Sequence, residues 1–196
     1  MILYLIVTLL SLILISLLNI FFNPMHEAWW LYIVYTISSV IIVMIIDALV
    51  AIIIRRMPEK IFTPNKKLFQ VKDKEIKFYM FLKVNKWKKY IPELGGFTNF
   101  HKNKVEDPFN KEYINRYILE VCYGISIHLY SIPLSFLALL FDYKIYIEGY
   151  TNLWLTIILP IVLVNTILNL LPTFILRFNL PRLIRINKNN DDLMKN

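Results

Sequence analysis

Residues 29–56 read WWLYIVYTISSVIIVMIIDALVAIIIRR. From Trp29 to Ile54 the run exceeds the roughly 20 apolar residues needed to cross a hydrocarbon core, and Asp47 is its only charged residue. It then closes on Arg55 and Arg56. An apolar run of this length, ended by two arginines, predicts a transmembrane helix whose C-terminal end faces the cytoplasm. Working outward, three more runs have the same character: 2–22, ILYLIVTLLSLILISLLNIFF; about 117–141, YILEVCYGISIHLYSIPLSFLALLF; and about 153–176, LWLTIILPIVLVNTILNLLPTFIL. Pro133, Pro160 and Pro172 interrupt the last two. With 57% apolar residues and a mean hydropathy of +0.53, the chain lies far from a water-soluble composition. The expected fold class is an all-α integral membrane protein, with four transmembrane helices and a single membrane domain over residues 1–196.

No Lys or Arg precedes the first run and no small-residue cleavage site follows it, so it is expected to stay as an anchor and not to be removed as a signal. Cys122, the only cysteine, falls inside the third span, where a small buried residue is expected in place of a reactive thiolate.

The net charge of +8 is unevenly placed. Basic residues crowd the loop over 55–116 and recur after the fourth span as Arg177, Arg182, Arg185, Lys188 and Lys195. The segments NPMHEA and DYKIYIEGYTN, on the other side, hold one lysine between them. The bias predicts a multi-pass protein of the cell membrane with both termini and the long loop in the cytoplasm. Within the loop, Ile76, Met80, Val84, Trp87 and Ile91 recur at spacings of four, four, three and four among lysines. That pattern predicts an interfacial amphipathic helix, stopped by PELGG at 92–96. Its basic face would attract anionic membrane lipids at about 1 kcal/mol per nearby cation. The terminal NKNNDDLMKN is expected to fray.

Polar residues inside the spans are the candidate functional groups. Asp47, His128, Asn165 and Asn169 are expected about 10–16 Å from the loop side at a rise of 1.5 Å per residue, and Glu120 about 5 Å. Convergence at one depth predicts a polar cavity open toward that side. Glu120 and His128 are eight residues apart, about 80° around a helix, and share a broad face. Pro172 frees a carbonyl next to Asn169, which is tolerated at depth only where protein or water satisfies it.

Several chemistries are excluded. The three histidines, His26, His101 and His128, lie in separate segments, so no metal site is indicated. With four glycines there is no phosphate loop, and no G-x-S-x-G elbow is present. The basic charge follows a membrane face, so no nucleic-acid partner is expected. No cofactor is expected either.

The segment NLLPTFILRFNLPRLIRI at 169–186, with RRMPEKIF at 55–62, KVNKWKKYIPELGGF at 83–97 and the Glu120 to His128 spacing, resembles the glycosyl-4,4'-diaponeurosporenoate acyltransferases of staphyloxanthin-type carotenoid biosynthesis over roughly 50–188. The resemblance implies a membrane enzyme that esterifies a hydroxyl of a glycosylated carotenoid, or a related lipid-linked acceptor, with a fatty acyl chain. A non-catalytic membrane protein and another lipid-modifying enzyme, dependent on S-adenosylmethionine or NADPH, are the alternatives.

On the acyltransferase reading, His128 is the expected general base for the acceptor hydroxyl. Glu120 is expected to orient its imidazole or stabilise its cation, directly or through water. Asn169 is the expected oxyanion donor. Arg177 and Arg182, with Asn179 between them in the R-x-N-x-P-R motif, are expected to grip an anionic group on the donor. Lys86, Trp87 and Lys88 are expected to receive the acidic head of acyl-CoA or acyl carrier protein.

Overall fold

The computed structural model describes residues 2–22, 29–91, 105–140 and 153–193. Four long helices carry the four apolar runs: α1 (Ile2–Phe22), α2 (Trp30–Arg56), α5 (Lys111–Ser135, extended by a 3₁₀ turn over Phe136–Leu140) and α6 (Leu159–Leu193, entered through a π turn over Trp154–Ile158). Two short helices, α3 (Asp73–Phe81) and α4 (Val84–Trp87), lie between α2 and α5. No strand occurs among the described residues. All four long helices are long and apolar enough to span a membrane, and only 17% to 33% of each apolar window is buried by protein. Leu10, Leu14, Ile41, Met44, Leu163 and Ile167 are among the apolar side chains left exposed. Hydrocarbon is the solvent that such surfaces require, so the chain is a multi-pass membrane protein.

The spans begin and end differently from the apolar runs. α5 starts six residues early because Asn110 caps it: its Oδ1 accepts from the Tyr113 N–H at 3.0 Å and its carbonyl from the Ile114 N–H at 3.0 Å. α6 continues through Pro172 and Pro181 to Leu193. The tail expected to fray is helical through Leu193, and Asn187 and Asn190 tie it down. Asn187 Nδ2 donates to Asn115 Oδ1 at 2.9 Å and Asn190 Nδ2 donates to the Pro108 carbonyl at 2.8 Å.

The expected single amphipathic helix is broken in two. Lys83 adopts a left-handed conformation with φ 54°, which no helix can continue through. The Trp87 indole N–H donates to the Leu82 carbonyl at 2.9 Å and closes the corner. The break shifts the phase of the stripe: Tyr79 and Val84 are buried, whereas Met80 is 55% exposed. The PELGG stop and the segments NPMHEA and DYKIYIEGYTN lie outside the described residues.

The chain packs as two compact units, Ile2–Ile52 with Tyr130–Asn169, and Ile53–Leu129 with Leu170–Asn196. In the first, Ile15, Tyr32, Val43, Ile157, Ile158 and Val162 are buried together. Pro160 has no N–H to offer the Thr156 carbonyl in α-helical register, and Asn19 Nδ2 reaches from α1 to donate to that carbonyl at 3.0 Å. In the second unit, Tyr79, Val84 and Ile175 form a core with Phe174, Phe178 and Trp87 around it. Phe62 packs against Tyr123 with the rings tilted by 47° and their centroids 4.6 Å apart. Gly124 lets α5 and α6 approach closely, since a Cβ there would lie 2.8 Å from Leu176 Cδ1.

Candidate functional site

In the second unit, Lys88 follows α4 on a short 3₁₀ turn, and its Nζ donates to Asn179 Oδ1 at 3.2 Å, from the middle of α6. The same ammonium lies over the Phe178 ring, 5.8 Å from its centroid. Burial pushes the Lys88 ammonium below its ordinary pKa, and the like charge of Arg182 pushes in the same direction. Among the described residues neither Lys88 nor Arg182 pairs with an acid. Three expected binding residues, Lys88, Asn179 and Arg182, are thus brought together around a surplus of positive charge. Lys86 is exposed on α4. Trp87 commits its N–H to the α3–α4 corner and so positions Lys88.

Arg177 has a different use. Its guanidinium reaches both oxygens of Glu75, through Nε and Nη2, and the backbone carbonyls of Leu68, through Nη1, and Gln70, through Nη2. Where a grip on the donor was expected, the fork is occupied by contacts within the protein. Arg177 fastens residues 68–75 to α6. Burial raises the Glu75 pKa, but hydrogen bonds from Arg177 and Tyr79 outweigh it and the carboxyl lies below its ordinary value. Burial, with the neighbouring Glu75 carboxylate, pushes the Tyr79 phenol upward.

Glu120 sits nine residues into α5 with its side chain 10% exposed, against 50% for its two partners. Arg116 Nη2 lies 2.9 Å from its Oε1 and Arg55 Nη1 lies 3.1 Å from its Oε2. Arg116 also reaches Glu59 at 3.2 Å, and Arg55 lies over the Tyr123 ring at 5.7 Å. Among the described residues the Glu120 hydrogen bonds run to guanidinium groups, which offer a carboxylate both charge and fork geometry, and of the two expected links to His128, direct or through water, the direct one is not formed. His128 is half-buried on α5, eight residues beyond Glu120.

In the first unit, Asp47 on α2 meets Asn165 and Asn169 on α6. Asn165 Nδ2 donates to Asp47 Oδ1 at 3.3 Å, and Asn169 Nδ2 to Asp47 Oδ2 at 3.2 Å. Asn169 Nδ2 also donates to the Asn165 carbonyl at 3.1 Å. Both amide hydrogens of Asn169 are therefore engaged, and the expected oxyanion donor has none to give. Of the five polar residues expected to converge, Asp47, Asn165 and Asn169 meet in the first unit, whereas Glu120 and His128 belong to the second.

Sequence reading missed the partners. Arg116 is the exception, because its i,i+4 spacing to Glu120 signals a helical ion pair. Tyr79 likewise meets Glu75 at i,i+4 spacing on α3, whereas the arginine partners of Glu59 and Glu75 are supplied by distant helices and leave no local signal.

A family model described as glycosyl-4,4'-diaponeurosporenoate acyltransferase matches residues 58–189, about two thirds of the chain. The match includes every expected site residue and leaves out α1, α2 and Asp47. No curated protein and no solved structure matches.

Proposed function

The chain belongs to the glycosyl-4,4'-diaponeurosporenoate acyltransferase family, and from that premise we propose that it transfers a fatty acyl chain to a hydroxyl of a glycosylated carotenoid or a related lipid-linked acceptor. The observation that carries the donor half of this reading is the contact of Lys88 with Asn179 inside the matched segment, with the charge of Arg182 acting on the same ammonium. Two cations that meet no acid among the described residues suit the phosphates of acyl-CoA or the acidic surface of acyl carrier protein, and the exposed Lys86 on α4 adds to the field. Arg177 and Trp87 are positioning residues that hold Lys88 and α6 in place.

His128 takes the proton from the acceptor hydroxyl as its oxygen attacks the acyl carbonyl carbon. The carbon–sulfur bond to the donor then breaks, and the imidazolium returns the proton to the departing thiolate. Glu120 supports this chemistry indirectly, because its pairing with Arg55 and Arg116 fixes α5 against the end of α2. The enzyme works in the cell membrane with both termini and residues 55–116 in the cytoplasm, and the basic surface around α3 and α4 rests on anionic lipid.

Purified protein in vesicles, given labelled acyl-CoA or acyl carrier protein and a glycolipid acceptor, should form a labelled ester. Ester formation that falls by about 10²-fold in His128→Gln supports the mechanism. Absence of ester with both donors overturns it. For orientation, single cysteines at Lys66 and Glu148, in a Cys122→Ser background, should resist and accept an impermeant thiol reagent respectively. The reverse labelling would invert the topology.

A further inference from the structure

Asp47 precedes the segment matched by the family, and it lies nine residues before the end of α2, about 13 Å along the helix axis. An acid at such a depth is costly and rare, and its usual partner is a cation. None is supplied: among the described residues the Asp47 partners are the two neutral amides of Asn165 and Asn169, one turn apart on α6. Accepting from both amides at once calls for two acceptor oxygens, which an asparagine lacks, but the carboxylate brings acceptor capacity beyond those two bonds.

The direction of the hydrogen bonds identifies what the cluster lacks. Both asparagines aim N–H donors at Asp47, and the second hydrogen of Asn169 is held by the Asn165 carbonyl. A carboxylate has about four acceptor positions, and two are filled. The remaining capacity is for a ligand that brings neutral O–H donors. Asp47 and Asn165 are only half-buried, and Met44, one turn before Asp47 on the same face of α2, is an exposed apolar side chain. A ligand here therefore carries its hydroxyls on an apolar body.

We infer that Asp47, held by Asn165 and Asn169, binds the sugar hydroxyls of a lipid-linked acceptor. Adjacent hydroxyls of a sugar match the two oxygens of one carboxylate, and the hydrocarbon part of the molecule lies along the exposed apolar surface of α2. Asp47 acts as a specificity residue for the acceptor. The inference rests on the acyltransferase reading only for the identity of the ligand, since the binding itself is measurable without turnover.

The test uses the full chain in lipid nanodiscs, with a pyrene-labelled alkyl glucoside as probe and a pyrene-labelled alkyl phosphocholine of equal chain length as control. Energy transfer from tryptophan to pyrene reports binding. Asp47→Asn should weaken glucoside binding by about tenfold or more, as expected when the charged partner of a hydroxyl is lost, while leaving phosphocholine binding unchanged. Asp47→Glu should recover part of the affinity, which separates a local change from a misfolded protein. In turnover assays the acceptor KM should rise in Asp47→Asn with kcat and donor KM retained. Equal loss of both probes, or no loss, overturns the subsite. So does a stabilisation by sodium or potassium that depends on Asp47 with no glucoside effect, because the cluster would then be a cation site. If wild type forms no ester yet binds glucoside through Asp47, the acyltransferase reading fails and the subsite stands. If ester forms and Asp47→Asn keeps its acceptor KM, the reverse holds.

Discussion

Replacing Arg177 with lysine keeps the positive charge and removes the planar fork, so it separates a clamp from a donor site. The arginine reaches four acceptor atoms, two on Glu75 and the carbonyls of Leu68 and Gln70. A lysine ammonium can satisfy one or two of these. Hydrogen bonds to charged groups contribute about 1.5–3 kcal/mol each, and the side chains of Arg177 and Glu75 are 14% and 25% exposed, so water replaces part of what is lost. The expected net loss is about 2–3 kcal/mol, which in a chain of this size lowers Tm by roughly 4–10 °C. Glu75→Gln should produce a similar loss, and the double variant should lose less than the sum, with a coupling of about 1 kcal/mol or more. Thermal melts and donor kinetics on the same detergent preparations provide the assay, and donor KM should stay within about twofold. A raised donor KM with an unchanged melt in Arg177→Lys would refute the clamp and restore the arginine to the donor site. Acid gives an independent check. Because the Glu75 pKa is depressed in the fold, its stabilisation is complete above the ordinary value of 4.5 and is lost as pH falls through the lower folded value. Wild type should therefore lose more stability than Glu75→Gln below pH 4.5.

Three other perturbations test other parts of the structure. His128→Gln should still insert and melt near the wild-type temperature while kcat falls by about 10²-fold or more, and a fully active variant would remove His128 from the mechanism. Lys88→Gln should raise the donor KM and flatten its salt dependence; in wild type, donor affinity should decline as pH climbs toward 10.5, earlier than for an ordinary lysine, because burial and Arg182 depress the Lys88 pKa. Asn19→Leu should destabilise the first unit by about 1 kcal/mol, because Pro160 cannot satisfy the Thr156 carbonyl in its place. Restoring an N–H with Pro160→Ala should recover most of that loss, and a melt unmoved by either change would show that the bond contributes nothing.

What was legible in the sequence is what depends on one helix at a time. The four spans follow from run length, since an apolar stretch such as 2–22 must satisfy its backbone internally wherever its neighbours lie. Convergence of Asp47, Asn165 and Asn169 followed from depth, a coordinate that helical rise supplies without any knowledge of packing. The start of α5 was hidden because the cap at Asn110 lies outside the apolar run, and the end of α6 because prolines stop a helix only where no neighbour relieves them. The left-handed Lys83 was invisible, since lysine carries no preference for that conformation. Hydrogen-bond direction was also beyond reach: Asn169 was placed at the right depth, yet whether its amide faces a ligand or Asp47 depends on α2.

The same limit explains why Glu120 and Arg177 had other partners than expected, and it leads to a rule about charge in this chain. Lysine and arginine number 22 against 14 acids, and they crowd the segments flanking the spans. Three acids near those segments are held by guanidinium groups, Glu120 by Arg55 and Arg116, Glu59 by Arg116 and Glu75 by Arg177. Cations, being in excess, are groups left without a counter-charge among the described residues, and Lys88 and Arg182 are two of them. Deep in the spans the balance reverses, because Asp47 stands among apolar side chains and neutral amides. A missing counter-charge marks a ligand more directly than the presence of a reactive side chain does, since a satisfied charge has no remaining capacity. By that measure the anionic donor belongs with Lys88 and Arg182, and the hydroxyls of the acceptor belong with Asp47.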